Sequence, residues 1–342
     1  MTSSQKSGKP RIGITLGDIN GIGPEVVMKS LQDPRILNLL TPVIYGSTRV
    51  LSYYKKLLGL DDFAYSQIKT PGQYALKTIN VFNCWEEPIE INPGKPDPQA
   101  GKAALLSLKQ AVADLKAGLI DALVTAPINK QVIHSPAFPF RGHTEFLANY
   151  FSISDYLMLM VSEQLKVGLV TEHVPLNEVP LLISRDRIQT KLLIMEQTLR
   201  REFGINKPRL AVLGLNPHAG DGGLLGTEDD QIIKPSVEDL KNKGKLVFGP
   251  FAADGFFASG QYTRFDGILA MYHDQGLTPF KLISFENGVN LTAGLPVIRT
   301  SPDHGTAYTL AGKNAANEAS MRQAIFTALD ILHTRREATG QN

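Results

Sequence analysis

The chain has 342 residues, 43% of them hydrophobic and 20% charged, with a formal net charge of +2 at neutral pH. That is room for two soluble domains with their own cores, and it argues against a strongly basic nucleic-acid binder or a protein drawn by charge to a membrane. The single cysteine, Cys84, excludes an intrachain disulfide and a thiolate metal cluster.

Met1–Pro10 is polar and lysine-bearing and does not read as a signal peptide. Arg11 to Leu16 reads as a first strand, followed by the turn Gly17-Asp-Ile-Asn-Gly-Ile-Gly-Pro-Glu25. A helix starts near Pro24, whose missing N–H costs nothing in a first helical turn. Thr41 to Tyr45 is a strand, Arg49 to Leu58 a helix and Thr78 to Phe82 a strand. Residues 92–99 are rich in Pro and Gly and form a loop. Ala104, Leu105, Leu108, Ala111, Val112 and Leu115 repeat at helical spacing within a helix from Ala100 to Lys116, and Ala122 to Thr125 follows as a buried strand. Alternation of strand and helix predicts an α/β fold with a largely parallel sheet.

Beyond Gly142 the texture changes. Thr144 suits an N-cap for a helix over Glu145 to Tyr150. Tyr156 to Val161 and Lys166 to Thr171 flank Ser-Glu-Gln as an antiparallel pair. Apolar stretches such as Tyr156 to Val161 are too short to span a bilayer, so a cytoplasmic location is expected. Ile183 to Phe203 reads as a long helix, and Leu210 to Leu215, Lys245 to Phe248 and Gly267 to Met271 as strands. Ala315 to Thr334 is a closing helix. No repeat or long linker is seen.

Three histidines share one setting. His173, His218 and His273 each end a short apolar run and open a loop, in Val-Gly-Leu-Val-Thr-Glu-His, Ala-Val-Leu-Gly-Leu-Asn-Pro-His and Gly-Ile-Leu-Ala-Met-Tyr-His. In a parallel α/β sheet, ligands gather beyond the carboxyl ends of the strands. Three imidazoles at such an edge suit a divalent metal with a fourth position open. Each alone is as well explained as a hydrogen-bonded structural residue, and the shared context is what raises the set above that reading. Asp254 or Asp274 is placed to orient the imidazoles.

Gly220, Gly222, Gly223 and Gly226 follow His218; they make either a flexible surface turn or a place where main chain approaches a ligand. The turn after the first strand does not match G-x-G-x-x-G, which argues against a Rossmann dinucleotide site there. His143 and Thr144 lie beside Arg141, while Lys281, Asn290 and Arg299 form a second polar set suited to gripping a phosphate. In Arg299-Thr-Ser-Pro-Asp-His-Gly-Thr-Ala307, small residues would let an adenine-bearing cofactor lie against main chain.

These strings resemble one family. Gly17-Asp18 through Gly21-Ile-Gly-Pro-Glu25, Thr125-Ala-Pro-Ile-Asn-Lys130, Gly142-His-Thr-Glu-Phe-Leu147, Asn216-Pro-His-Ala-Gly220, Tyr272-His-Asp-Gln-Gly276 and Gly294-Leu-Pro through Gly305-Thr-Ala307 are similar to those of the 4-hydroxythreonine-4-phosphate dehydrogenases of pyridoxal phosphate biosynthesis. The likeness runs from about residue 11 to 335; it departs at Ile19-Asn20 and at Phe251-Ala-Ala-Asp-Gly-Phe-Phe257.

The resemblance implies an isocitrate/isopropylmalate dehydrogenase-like fold: two α/β/α domains with a central cleft. The first would comprise residues 1–140 and 290–342, the second residues 141–289. It implies NAD-dependent oxidative decarboxylation of 4-phosphohydroxy-L-threonine to 3-amino-2-oxopropyl phosphate and CO2, by a homodimer with each active site near the subunit interface. Metal ligands fall on His173, His218 and His273, for zinc, cobalt or magnesium. Substrate residues fall on His143, Thr144, Lys281, Asn290 and Arg299, with His143 and Lys281 as candidate catalytic groups. The cofactor loop falls on His304, Gly305, Thr306 and Ala307. No acid or arginine stands out to read the ribose 2′ position, so NADP stays open beside NAD. A 4-phospho-D-threonate or 4-phospho-D-erythronate dehydrogenase is the near alternative. A metal-dependent hydrolase is the alternative of another class, and a non-catalytic sugar-phosphate binder leaves the histidines unexplained.

Overall fold

A computed structural model describes residues 8–340, so most of the Met1–Pro10 segment lies outside the described residues. In chain order the strands are β1 (Arg11–Thr15), β2 (Thr41–Gly46), β3 (Tyr65–Ile68), β4 (Ile79–Asn83), β5 (Ala122–Thr125) and β6 (Leu157–Val161). They continue with β7 (Lys166–Leu169), β8 (Leu210–Leu213), β9 (Val247–Phe251), β10 (Gly267–Ala270), β11 (Val289–Ala293) and β12 (Arg299–Pro302). The chain divides into two compact units, Met1–Phe151 with Pro296–Asn342, and Ser152–Leu295. Among the described residues no helix is long and apolar enough to cross a membrane.

In the first unit the strands run in the order β3-β4-β2-β1-β5-β12, all parallel. β2 and β5 are buried along their whole length, as expected for strands covered on both faces. Ser47 caps the helix Thr48–Leu58 through Arg49 N–H, and Gly59 ends it in a left-handed conformation. Asp97 caps Pro98–Lys116, which therefore starts two residues before the expected Ala100. Its periodic apolar positions are all buried. The C-terminal helix spans Ala319–Ala338, displaced from the expected 315–334.

The helix His143–Tyr150 begins at Gly142 with no side-chain cap, so Thr144 lies within its first turn and is not the N-cap. The Glu145 carboxylate instead accepts from Arg141 N–H at 2.5 Å. Phe146 packs on Phe138 and Phe140. That aromatic cluster puts the helix in the first unit, and moves the boundary from 140 to 151.

In the second unit the order is β11-β6-β7-β10-β8-β9. β6 pairs antiparallel with β7, and β7, β10, β8 and β9 are parallel in succession. β11 pairs antiparallel with β6, Val289 opposite Val161. This pairing carries residues 289–293 into the second unit and corrects the boundary expected at 290. Ser184 caps the helix Arg185–Phe203 through Arg187 N–H, which fixes its start two residues after Ile183. Met158, Met160, Val167, Leu169, Ile268, Leu277 and Phe280 belong to one buried cluster. Leu277 and Phe280 lie on the helix His273–Ser284, so packing fixes the helix that opens with His273.

Candidate active site

In the second unit, three neighbouring parallel strands deliver the histidines to one sheet edge. β7 and β10 are in register, Ala270 opposite Leu169, and the pairing continues past the strands. Val170 N–H donates to Ala270 O at 2.9 Å, and the Thr171 hydroxyl to Met271 O at 2.8 Å. His173 and His273 leave this seam side by side, their ring centroids 5.5 Å apart. His273 Nδ1 lies 2.7 Å from Asp274 Oδ1. A carboxylate placed behind an imidazole in this way fixes the ring's orientation and turns Nε2 toward whatever the site binds. Asp254 is exposed on the helix Ala253–Ala258, so Asp274 is the acid that the structure brings to an imidazole.

His218 leaves β8, the strand beside β10, but follows a different path. It is exposed and lies in a turn where His218, Ala219, Gly220, Asp221 and Gly222 all have positive φ, from 45 to 84°. A left-handed conformation costs a non-glycine residue ~1–2 kcal/mol. Among the described residues no three His, Cys, Asp or Glu side chains are grouped so as to hold a metal ion. One chain therefore brings together His173 and His273, and the expected trio is not assembled within it.

The set Lys281, Asn290 and Arg299 is also divided. Lys281 lies half-buried on the helix His273–Ser284 and Asn290 on β11, both in the second unit. The Asn290 amide oxygen is buried without a hydrogen-bond partner. Such an atom costs ~1–3 kcal/mol unless something else satisfies it. Arg299 belongs to the first unit and is 2% exposed.

Arg299 is held by a residue that the reading of the sequence passed over. β12 lies beside β5, with Thr300 opposite Val124, so the next residue, Thr125, meets the guanidinium. Its hydroxyl accepts from Arg299 Nε at 3.1 Å and Nη2 at 2.6 Å. Burial brings the Arg299 pKa down to about 9, so the group stays cationic at neutral pH. His143, half-buried at the start of its helix, is pushed well below the ordinary histidine range, by burial first and then by the charges of Arg299 and Lys130. Lys130 opens a short helix whose cap is Asn129. The signal for both new residues was the string Thr125-Ala-Pro-Ile-Asn-Lys130.

The loop His304–Ala307 is tied to the first turn, not set apart from it. Ile22 N–H donates to Thr306 O at 3.0 Å. The Tyr308 hydroxyl donates to Asp18 Oδ2 at 2.5 Å. Gly17 has φ +65°, and a side chain there would lie 2.2 Å from Pro127 O, so the turn presses on the strand end that carries Thr125. Gly305 is exposed with open space around its Cα, and Ala307 has φ 41°. The first turn and the His304–Ala307 loop form one platform.

A family model described as pyridoxal phosphate biosynthetic protein PdxA matches residues 38–328. The chain belongs to the PdxA family. A 4-hydroxythreonine-4-phosphate dehydrogenase of Bacteroides thetaiotaomicron is 50% identical over 96% of this chain and 90% of its own length. One from a Sulfurihydrogenibium species is 40% identical over 95% and 99%. The crystal structure of the Klebsiella pneumoniae 4-hydroxythreonine-4-phosphate dehydrogenase superposes with a TM-score of 0.80 at 37% identity, covering 96% of this chain and 99% of that one. Membership of the PdxA family accounts for the motif strings as a group and makes the protein a dehydrogenase of pyridoxal phosphate biosynthesis.

Proposed function

We propose that this chain is a 4-hydroxythreonine-4-phosphate dehydrogenase that oxidises and decarboxylates 4-phosphohydroxy-L-threonine to 3-amino-2-oxopropyl phosphate and CO2, with NAD as hydride acceptor. The observation that carries this reading is the relative of that name, identical at half the positions over 96% of the chain.

The side chains suit the task. Arg299, held in place by Thr125, offers a fixed cation for the distal phosphate. The open Asn290 amide oxygen is available to a substrate N–H or O–H. His143 is neutral at physiological pH, so one ring nitrogen is free to accept the substrate hydroxyl proton. Thr144, in the same first helical turn, adds a neutral hydroxyl. NAD finds accessible main chain at Gly305 within the His304–Ala307 platform.

A divalent metal fits the paired imidazoles of His173 and His273. Two rings each ~2.1 Å from one ion stand about as far apart as these do, and an imidazole set suits zinc or cobalt better than magnesium. When bound, the ion supplies Lewis-acid charge that lowers the pKa of the substrate hydroxyl. In this reading His218 supplies the third imidazole when the ion binds, and the enzyme is a homodimer with the site near the subunit interface. The histidine-bearing unit supports a dimer: Leu176, Leu181, Leu224, Leu282 and Phe285 are all at least 69% exposed. Large apolar side chains left this exposed favour association with a second copy.

The test follows NADH formation with 4-phosphohydroxy-L-threonine and with 4-phospho-D-erythronate, each with and without a chelator. Turnover of the first, abolished by chelator and restored by zinc or cobalt, is expected. Turnover of the erythronate alone would replace the substrate, and full activity in chelator would remove the metal.

A further inference from the structure

The left-handed turn at His218 raises a question that the metal reading does not answer. Three L-residues, His218, Ala219 and Asp221, hold positive φ within one short stretch. Such a backbone persists only where its surroundings over-determine it. We propose that Asp229 is the positioning residue that presents His218 to the metal, an inference that rests on the metal reading above.

Asp229 is fully buried and opens the irregular helical turn Asp229–Ile233. Its Oδ1 accepts from Leu215 N–H at 2.8 Å. Its Oδ2 accepts from Asn216 N–H at 3.1 Å and from Asn216 Nδ2 at 3.0 Å. The same Asn216 amide donates to Glu228 Oε2 at 2.9 Å, and Asn216 O accepts from Ala219 N–H at 3.1 Å, closing the turn around His218. One carboxylate thus fixes both residues that lead into Pro217-His218.

The surrounding glycines make room for this clamp. A side chain on Gly214 would come within 2.7 Å of Asp229 Oδ1, and one on Gly226 within 2.6 Å of Asn216 Nδ2. Part of the glycine-rich stretch therefore answers to Asp229 and Asn216, not to a bound ligand. Gln275 links the clamp to the segment that carries His273: its amide donates to Gly214 O at 2.6 Å and accepts from Met271 N–H at 2.7 Å, just before His273. Asp229 acts on His218 through the backbone of Leu215 and Asn216.

The test uses the full-length enzyme and three readouts: zinc affinity by chelator competition, amide exchange of the segment 214–226, and the separate kcat and KM. Asp229→Asn keeps the shape but loses acceptor capacity. It should weaken zinc about 10–100-fold, speed exchange in that segment only, and lower kcat while leaving KM for the phosphorylated substrate unchanged. Adding Ala219→Gly, which relieves a left-handed residue, should recover several-fold of the zinc affinity. If Asp229→Asn does not fold, Asn216→Ala carries the test, with the same local exchange and a smaller loss of zinc. Wild-type zinc affinity in the clamp variants, while His218→Ala loses it, overturns the role of Asp229. Exchange that quickens throughout the chain, without rescue by Ala219→Gly, overturns it too. Wild-type affinity in His218→Ala overturns the metal reading itself.

Discussion

The two units build their chemistry in opposite ways. In the first, Arg299 is buried and bonded twice to Thr125, and its charge together with that of Lys130 acts on His143. That cationic group is finished by the packing of one chain. In the second, His273 is braced by one carboxylate and paired with His173, while His218 rides an exposed turn and does not join them. The cationic group is thus complete within one unit, whereas the three histidines are not gathered at one point. The difference follows from solvation: a buried guanidinium has to be hydrogen-bonded by its own fold, whereas the His218 turn is exposed and its side chain is met by water.

Removing the pair should separate the two regions most sharply. His273→Ala is expected to lower kcat about 10²–10³-fold, the scale seen when a preorganised electrostatic contact to the reacting oxygen is lost. Zinc affinity should collapse while the binding of inorganic phosphate, read by calorimetry, stays as in the wild type. A variant that loses phosphate binding to the same extent would show that the two regions are not independent.

Much of this contrast was visible in the sequence, and the rest was hidden for identifiable reasons. β2 and β5 announced themselves because a strand covered on both faces is a continuous apolar run. β3 has one buried residue in four and a polar sequence, so the edge strand left no pattern. β12 reads Arg-Thr-Ser-Pro and is buried at every position, a case where tertiary surroundings override composition. His173 and His273 were legible as a pair because both follow strand ends, and the strands prove to be neighbours. The separate path of His218 was not, since it depends on backbone angles that its own residue types disfavour. Thr125 was hidden because its partner lies 174 positions away.

The charge cluster offers a subtler test. Lys130 and Arg299 both hold His143 in its neutral form, so removing one cation must raise its pKa. In Lys130→Met the acid limb of the kcat/KM profile should move toward neutral pH. The sign follows from the proposed role of His143, since a protonated imidazole has no lone pair with which to accept the hydroxyl proton. Lys130 is exposed, so the effect is screened and amounts to at most about 1 kcal/mol, roughly fivefold in kcat/KM just above the limb. Added salt should shift the wild-type limb the same way and the variant's limb less. An unmoved limb would detach Lys130 from His143.

The smallest effect should come from Thr125→Val, and it bears directly on the claim that the first unit is finished by its own packing. Valine keeps the shape of threonine but replaces the hydroxyl that accepts from Arg299 Nε and Nη2. The guanidinium would stay buried with fewer acceptors, at a cost of about 1–3 kcal/mol for the donors left unsatisfied. In the absence of ligand that cost should appear as a fall of a few degrees in the melting temperature. A bound phosphate would supply new acceptors, so part of the lost stability should return on adding inorganic phosphate, and the melting shift produced by phosphate should be larger in the variant than in the wild type. KM for the phosphorylated substrate should rise only a few-fold, because the cation remains and only its orientation loosens. If phosphate shifts both proteins equally, Thr125 serves packing alone, and the geometry of Arg299 is set by something other than this pair of bonds.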